Sequence, residues 1–161
     1  MNGRHSIKHV GIISDTHGLL REEALRALEG SDLIVHAGDI GSREVLKGLE
    51  RIAPVHAVRG NNDRDEWGRS LPLTEVVTLG EHLVYLLHDI ADLDLDPAAA
   101  GFAAVIFGHS HKPLIEEREG VMYLNPGSAG PRRFRLPIAL ARLQVSRSGL
   151  RAELVDLELA K

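Results

Sequence analysis

The chain contains no cysteine, and this absence excludes several kinds of chemistry. Without a thiol there is no disulfide framework, no thiolate-ligated metal site and no cysteine nucleophile. The absence also fits a reducing compartment, so we expect a cytoplasmic location. The first residues are basic, but no apolar segment follows them before Ser14 and Asp15, and a secretory signal peptide is therefore not expected.

Aromatic residues, long apolar runs and excess positive charge are scarce as well. Phe, Trp and Tyr make up only 4% of the 161 residues, which leaves little surface for stacking the bases of a single strand. Apolar runs such as 102–107 fall far short of the roughly 18 residues that indicate a membrane-spanning helix. The formal net charge of −4 gives no general attraction to a nucleic-acid backbone. The composition therefore predicts no membrane partner and disfavours long nucleic acid.

Short apolar strands alternate with helical segments in the first half of the chain. Buried strands are predicted over 9–14, 33–37 and 55–59. Between them, apolar residues recur at helical spacing over 21–29 and about 42–51. This strand–helix alternation is typical of parallel strands joined by right-handed crossovers.

The second half of the chain is richer in strands. Three hairpins are predicted around glycine-containing turns, together with a buried strand over 103–107 and a brief helix over 97–101. No linker, repeat or low-complexity tract divides the chain, and its length is ordinary for one domain. We therefore predict a single α/β domain over residues 1–161, built from two stacked, mixed β-sheets flanked by helices.

Polar residues follow five of the predicted strands directly. The five segments are Asp15-Thr16-His17, Gly38-Asp39, Gly60-Asn61-Asn62-Asp63, His88-Asp89 and Gly108-His109-Ser110-His111. Ligands of open α/β sheets bind beyond the carboxyl ends of the strands, where residues i and i+2 point to the same side. Carboxylates, amides and imidazoles without thiolates suit Mn²⁺, Zn²⁺, Fe or Ni²⁺. Together the segments predict a metal site at one edge of the molecule.

Each segment also has a simpler interpretation. An Asp or Asn after a strand is commonly a turn residue or a helix N-cap, and a single histidine such as His88 is commonly a partly buried core residue. His36 and His56 lie within predicted strands, so we expect them in the core or behind the ligands. Five segments that all use metal-binding residue types are nevertheless hard to explain as turns alone.

In chain order these residues form the pattern D-x-H, G-D, G-N-x-D, H and G-H-x-H. With this pattern, which spans 15–111, the chain resembles the calcineurin-like metallophosphoesterase superfamily. The Asn-Pro-Gly-Ser sequence at 125–128 is similar to that of the small bacterial and archaeal phosphodiesterase branch. The resemblance implies a two-sheet sandwich that binds two divalent ions, with Mn²⁺ favoured and Ni²⁺, Zn²⁺ or Fe as alternatives.

The resemblance also assigns roles to seven side chains. The ligands that it implies for the first ion are Asp15, His17, Asp39 and His111. Asp39 would bridge to the second ion, whose other ligands would be Asn61, His88 and His109. Within this set, catalysis is expected to depend most directly on Asp39, Asn61 and His109.

The function implied is hydrolysis of a small phosphodiester by a water that two ions activate to hydroxide. Asn62 departs from the family pattern, because many active members have a histidine there that is thought to protonate the leaving group. An amide cannot act as a general acid near neutral pH. The main alternative is a protein-binding scaffold, since the retromer scaffold subunit of eukaryotes has this fold with a degraded metal site. The intact ligand set favours an enzyme, whereas Asn62 favours the scaffold.

Several residues outside the ligand pattern have two interpretations. Arg132 and Arg133 either bind a substrate phosphate through their planar guanidinium groups or lie in a solvated loop. Arg59 lies near the expected ions but could simply pair with a carboxylate, and Asp63 either supports a ligand from behind or caps a turn. The apolar pattern over 138–159 fits the core or a subunit interface, which leaves a homo-oligomer open.

Overall fold

The structure, a computed structural model, describes residues 7–158. In this part of the chain ten β-strands form two five-stranded sheets. The strands are β1 (His9–Ile13), β2 (Leu33–His36), β3 (Val55–Ala57), β4 (Thr74–Leu79), β5 (His82–Leu87), β6 (Phe102–Ile106), β7 (Leu114–Arg118), β8 (Val121–Asn125), β9 (Ala139–Ser146) and β10 (Gly149–Asp156). The α-helices are α1 (Glu22–Leu28), α2 (Arg43–Glu50) and α3 (Glu66–Arg69), and a 3₁₀ turn covers Ile90–Asp92.

Both sheets are mixed, as the sequence predicts. The first has the order β10-β9-β1-β2-β3, with β1, β2 and β3 parallel and β9 antiparallel to β1. The second has the order β4-β5-β6-β8-β7, with β5, β6 and β8 parallel and the two edge strands antiparallel to them. The helices of the first half connect parallel strands, as predicted.

The apolar character of the parallel strands follows from burial on both faces. One core cluster lies between the two sheets and contains Val10, Val35 and Leu86. A second cluster joins the outer face of the first sheet to α1 and α2, with Ile34 packed among Leu28 and other helical residues. A strand that is exposed on one side alternates polar and apolar residues. A strand that is covered on both sides has apolar residues at successive positions instead.

The short elements of the second half differ from the sequence expectation. The helix predicted over 97–101 is wrong, because this segment forms successive turns in which Asp96 accepts from the amides of Ala99 and Ala100. Conversely, α3 and the 3₁₀ turn were not predicted. Each is too short to show helical periodicity. The side chain of Asp65 caps α3 and that of Asp89 caps the 3₁₀ turn, in each case by accepting a hydrogen bond from a backbone amide.

The two sheets meet at the carboxyl ends of their central strands. The amide of Asp15, after β1, donates to the carbonyl of Gly38, after β2. His88 of the second sheet contacts the Ala37 carbonyl of the first, and the His109 amide donates to the Asp15 carboxylate. The fold therefore gathers the loops after β1, β2, β5 and β6 at one edge. Among the described residues no helix has the length and apolarity to cross a membrane.

Candidate metal centre

The seven expected ligands all lie just beyond strand ends at this edge. The first sheet contributes Asp15, His17, Asp39 and Asn61. The second sheet contributes His88, His109 and His111. Four of the seven are almost fully buried, namely Asp15, Asp39, His88 and His111. The side chain of His109 is 44% exposed, so the group has a buried wall and an open side that a substrate can approach.

One group of candidate ligand atoms forms around Asp15. Its Oδ1 atom lies 3.4 Å from Nε2 of His111 and 3.9 Å from Nε2 of His17. The candidate ligand atoms of these three residues all lie within 4.8 Å of one another. This group contains three of the four ligands that the resemblance implies for the first ion.

A second group consists of Asp15, Asp39 and His88. The Nε2 atom of His88 lies 3.4 Å from Oδ2 of Asp39 and 3.9 Å from Oδ1 of Asp15. Asp15 therefore belongs to both groups. Asp39 also borders both, because its Oδ2 atom is 3.8 Å from Nε2 of His17. The bridging role expected for Asp39 stays a prediction, and Asp15 is placed equally well for it.

Asn61 and His109 lie at the open side of the second group. Oδ1 of Asn61 is 2.9 Å from Nε2 of His88 and 3.2 Å from Nδ1 of His109. Nε2 of His109 faces Oδ2 of Asp89 at 3.6 Å. His109 is outside both compact groups of ligand atoms, and Asp89 is a neighbour that the sequence alone did not single out as functional.

Unpaired acceptor atoms show that this arrangement fits a cation. Within residues 7–158, Oδ1 of Asp15, Nε2 of His17 and Nδ1 of His111 are buried without a hydrogen-bond partner. His88 places Nδ1 2.8 Å from the Ala37 carbonyl, which can only accept, so the neutral ring carries its proton there. Its Nε2 lone pair then faces Asp39, and a metal ion satisfies both acceptors.

The two carboxylates are held in the charged form that a cation requires. Burial alone raises the pKa of Asp39, but the His88 ring in its protonated form and the hydrogen bond from the Asn62 amide outweigh it and lower that pKa to about 2. For Asp15, burial is likewise outweighed by His111, His88 and Ser14, and its pKa is lowered. Burial opposes charge on His88 too, but Asp39 and Asp15 raise its pKa.

Backbone strain is concentrated at the candidate ligands. Seven non-glycine residues in the described part of the chain have positive φ, and five of them are Asp15, His17, Asp39, His109 and His111. The left-handed conformation costs roughly 1–2 kcal/mol for a residue with a Cβ atom. Such conformations persist where the surrounding structure enforces them, and they cluster at functional sites.

Two glycines allow the backbone to approach these ligands closely. A Cβ atom on Gly60 would lie 2.2 Å from both the amide nitrogen and Oδ1 of Asp39. A Cβ atom on Gly108 would lie 2.1 Å from Oγ of Ser14 and 2.6 Å from Oδ2 of Asp15. Only glycine fits at either position without displacing a carboxylate.

Asn62 and Asp63 support the site through hydrogen bonds. The backbone amide of Asn62 donates to Oδ1 of Asp39 over 2.8 Å, and its side-chain amide donates to Oδ2 over 3.1 Å. The buried Asp63 carboxylate accepts from the amides of Ile40, Gly41 and Gly60. Asp63 therefore supports the ligand loops from behind, which the sequence left open, whereas the fixing of Asp39 by Asn62 was not anticipated.

His36 is fully buried and satisfied without a metal ion. Its Nδ1 accepts from the Gly38 amide, so Nε2 carries the proton and contacts Oγ1 of Thr16, which donates to the Ile40 carbonyl. Burial lowers the pKa of His36 from 6.5 to about 3. The expectation that His36 lies behind the ligands is therefore supported by its contacts.

The lowered pKa of His36 predicts that the stability of the protein depends on pH. Between pH 6.5 and about 3 the unfolded chain binds a proton that folded His36 does not, so stability present above pH 6.5 is lost on acidification. For the metal-free protein, this residue should make the free energy of unfolding about 2 kcal/mol lower at pH 5 than at pH 7. Denaturant unfolding at the two pH values measures it, and a His36→Gln variant with the same pH dependence would contradict it.

The contacts or exposure of three further residues indicate roles other than metal binding. His56 is half-buried, and its Nδ1 lies 2.9 Å from a Glu75 carboxylate oxygen, so it is not a ligand. Arg132 forms an ion pair with Glu158. Arg133 is exposed in the loop between β8 and β9, which agrees with the solvated-loop interpretation.

Comparison with known proteins finds relatives over most of the chain. Residues 9–148 match the family described as the calcineurin-like phosphoesterase superfamily domain. A probable metallophosphoesterase from Methanothermobacter thermautotrophicus is 34% identical over 158 residues, covering 91% of this chain and 91% of that protein. A phosphodiesterase from Methanocaldococcus jannaschii is 29% identical over 136 residues, covering 73% of this chain and 82% of that protein.

Solved structures share the two-sheet architecture. A predicted phosphoesterase from Streptococcus pneumoniae has a TM-score of 0.75 at 23% identity, covering 96% of this chain and 92% of that chain. Vps29 from Entamoeba histolytica, solved in complex with Zn²⁺, has a TM-score of 0.71 at 24% identity, covering 92% of this chain and 99% of that chain. These likenesses confirm the predicted fold class.

Proposed function

Because the chain belongs to the calcineurin-like phosphoesterase superfamily, we propose that it is a phosphodiesterase that hydrolyses small phosphodiesters with two divalent ions. As a family member it is a metallophosphoesterase, a hydrolase, and the family depends on divalent metal. The observation that carries the proposal is the pair of ligand groups that share Asp15, with buried acceptor atoms that lack any other partner. A scaffold with no bound ion would leave those acceptors unsatisfied.

The roles of the chain's residues follow from their contacts. Bound divalent ions supply Lewis acidity toward the phosphoryl oxygens and lower the pKa of a water. Asp15 and Asp39 bring the negative charge that holds such ions, and Asn62 fixes both oxygens of Asp39. Asn61 and His109 border the open side, where a phosphoryl group is accessible to them.

His109 is the residue best placed to assist the leaving group. Its Nδ1 faces Asn61, so Nε2 is the ring nitrogen that lies beside Asp89 and toward solvent. When the ring is in its imidazolium form, which binds no ion, the proton held at Nε2 can pass to a departing alkoxide. This assignment fills the role that Asn62 cannot perform, because an amide has no proton to give near neutral pH.

The choice of a diester and of the metal rests on chemistry and on one relative. The Methanocaldococcus jannaschii relative is named a phosphodiesterase, and we extend that activity to this chain. Oxygen and imidazole ligands without thiolates are compatible with Mn²⁺, which we take as the native ion ahead of Ni²⁺, Zn²⁺ or Fe.

A cytoplasmic location remains part of the proposal. So does a homo-oligomer, for which the edge strand β10 offers an unpaired side.

The proposal is tested with a chromogenic diester and its matching monoester. Bis(4-nitrophenyl) phosphate and 4-nitrophenyl phosphate are each incubated with protein that has been treated with a chelator and then resupplied with Mn²⁺. Cleavage that Mn²⁺ restores, with a higher kcat/KM for the diester, is the expected result. Folded protein that cleaves neither compound with Mn²⁺, Ni²⁺, Zn²⁺ or Fe²⁺ would overturn the proposal and favour a scaffold.

A further inference from the structure

A small pocket with an arginine-rich wall opens beside the candidate metal centre. Its volume is about 290 Å³, and its lining residues include Arg59, Arg64, Arg69 and Asn61. Arg59 follows β3, Arg64 lies in the next loop and Arg69 ends α3. Three arginine residues thus line one cavity in a protein whose formal net charge is −4.

The positive charge of this pocket is not neutralised within the described part of the chain. In residues 7–158 none of the three arginines forms an ion pair with a carboxylate. Among the described residues, buried Nε of Arg59 has no hydrogen-bond partner, so it is a donor without an acceptor there. Among the described residues that line the pocket, only Asp63 is acidic, and its carboxylate already accepts from the amides of Ile40, Gly41 and Gly60.

The pocket and the metal centre share a residue. Asn61 lines the pocket, while its Oδ1 atom lies 2.9 Å from His88 in the ligand group. Nε of Arg64 donates to the Asn61 carbonyl, which fixes the loop between the two sites. Arg59 is two residues from Asn61, a span of at most about 7 Å along the chain. One small molecule can therefore reach both sites.

We infer that this arginine pocket binds a second phosphate group of the substrate, next to the phosphodiester that is cleaved. The inference rests on the proposed function and narrows it to phosphodiesters whose ester group carries another phosphate, such as nucleotides with phosphates on two sugar oxygens. Guanidinium groups present paired N–H donors that match phosphate oxygens, and charge-assisted hydrogen bonds of this kind are strong. The side chains of Arg64 and Arg69 are exposed, so a phosphate can reach them from solvent.

Binding measurements test the pocket independently of catalysis. Isothermal titration calorimetry on Mn²⁺-loaded protein compares thymidine 3′,5′-bisphosphate with thymidine 5′-monophosphate, which differ by one phosphate. We expect the bisphosphate to bind on the order of 10-fold more tightly. In Arg69→Ala this ratio should fall toward one, because Arg69 is exposed and its loss removes a donor without leaving a cavity in the core. Arg147→Ala is the matched control, since Arg147 is exposed in the β9–β10 turn, and it should keep the ratio.

Hydrolysis separates failure of the inference from failure of the proposed function. The substrates are thymidine 5′-(4-nitrophenyl phosphate) and the same compound with a 3′-phosphate, so both release nitrophenol. Both proposals are supported if kcat/KM is higher for the 3′-phosphorylated compound and if this difference between the two substrates disappears in Arg69→Ala. Equal kcat/KM values together with equal affinities overturn the pocket but leave the phosphodiesterase intact. Tighter bisphosphate binding without any hydrolysis supports the pocket and overturns the phosphodiesterase.

Discussion

Replacing Asp39 with alanine should lower kcat/KM for bis(4-nitrophenyl) phosphate by at least about 1,000-fold in Mn²⁺-supplemented protein. Oδ2 of Asp39 lies within 3.8 Å of ring nitrogens in both His88 and His17, so the substitution removes an acceptor that borders both ligand groups. It also leaves the Asn62 donors without their acceptor. The bound metal, measured by mass spectrometry after desalting, should fall together with activity.

A matched control separates the loss of a ligand from the loss of one negative charge. Asp94→Ala changes the net charge identically at an exposed loop position away from the ligand groups. This variant should keep its activity and its metal content. If Asp39→Ala retained two bound ions and most of the activity, the assignment of Asp39 as a ligand would be wrong.

Replacing Asp63 with alanine should lower the free energy of unfolding of the metal-free protein by about 3 kcal/mol. The Asp63 carboxylate accepts hydrogen bonds from three backbone amides in two different loops, those of Ile40, Gly41 and Gly60. Asp63 is only 4% exposed, so water cannot replace these bonds without a rearrangement. Denaturant unfolding after chelation measures this loss without any contribution from bound metal.

The neighbouring Asp65 provides the comparison for this experiment. Its exposed side chain accepts one hydrogen bond, from the Gly68 amide, and caps the short helix α3. Asp65→Ala should therefore cost only about 1 kcal/mol. Equal losses in the two variants would show that Asp63 does not hold the two loops together.

The sequence predicted the parts of this protein that depend on local pattern. The buried strands are continuous apolar runs, and polar residues follow five of them, so both the parallel sheets and the gathering of Asp15, Asp39 and His88 could be anticipated. The helix predicted over 97–101 failed because five residues are too few for periodicity to separate a helix from consecutive turns.

Features that depend on contacts between loops could not be predicted in this way. Arg59, Arg64 and Arg69 have ordinary spacing in the sequence. They line one pocket because the chain after α3 returns to the end of β3, where the Arg59 amide donates to the Pro72 carbonyl. The support that Asn62 gives Asp39 crosses between two loops that are 23 residues apart. The local periodicity of the sequence does not indicate which distant loops come into contact.

The strained backbone at the candidate ligands bears on how quickly the protein acquires its ions. Asp15, His17 and Asp39 adopt left-handed conformations, and hydrogen bonds of the protein itself hold two of them, because the amides of Asp15 and His17 donate to the carbonyls of Gly38 and Asp39. The conformational cost of shaping the site is therefore met when the chain folds, and little remains to be met when an ion arrives. We therefore expect ion capture to resemble docking onto a preformed surface, with a rate set by the loss of the ion's own water shell rather than by movement of the protein.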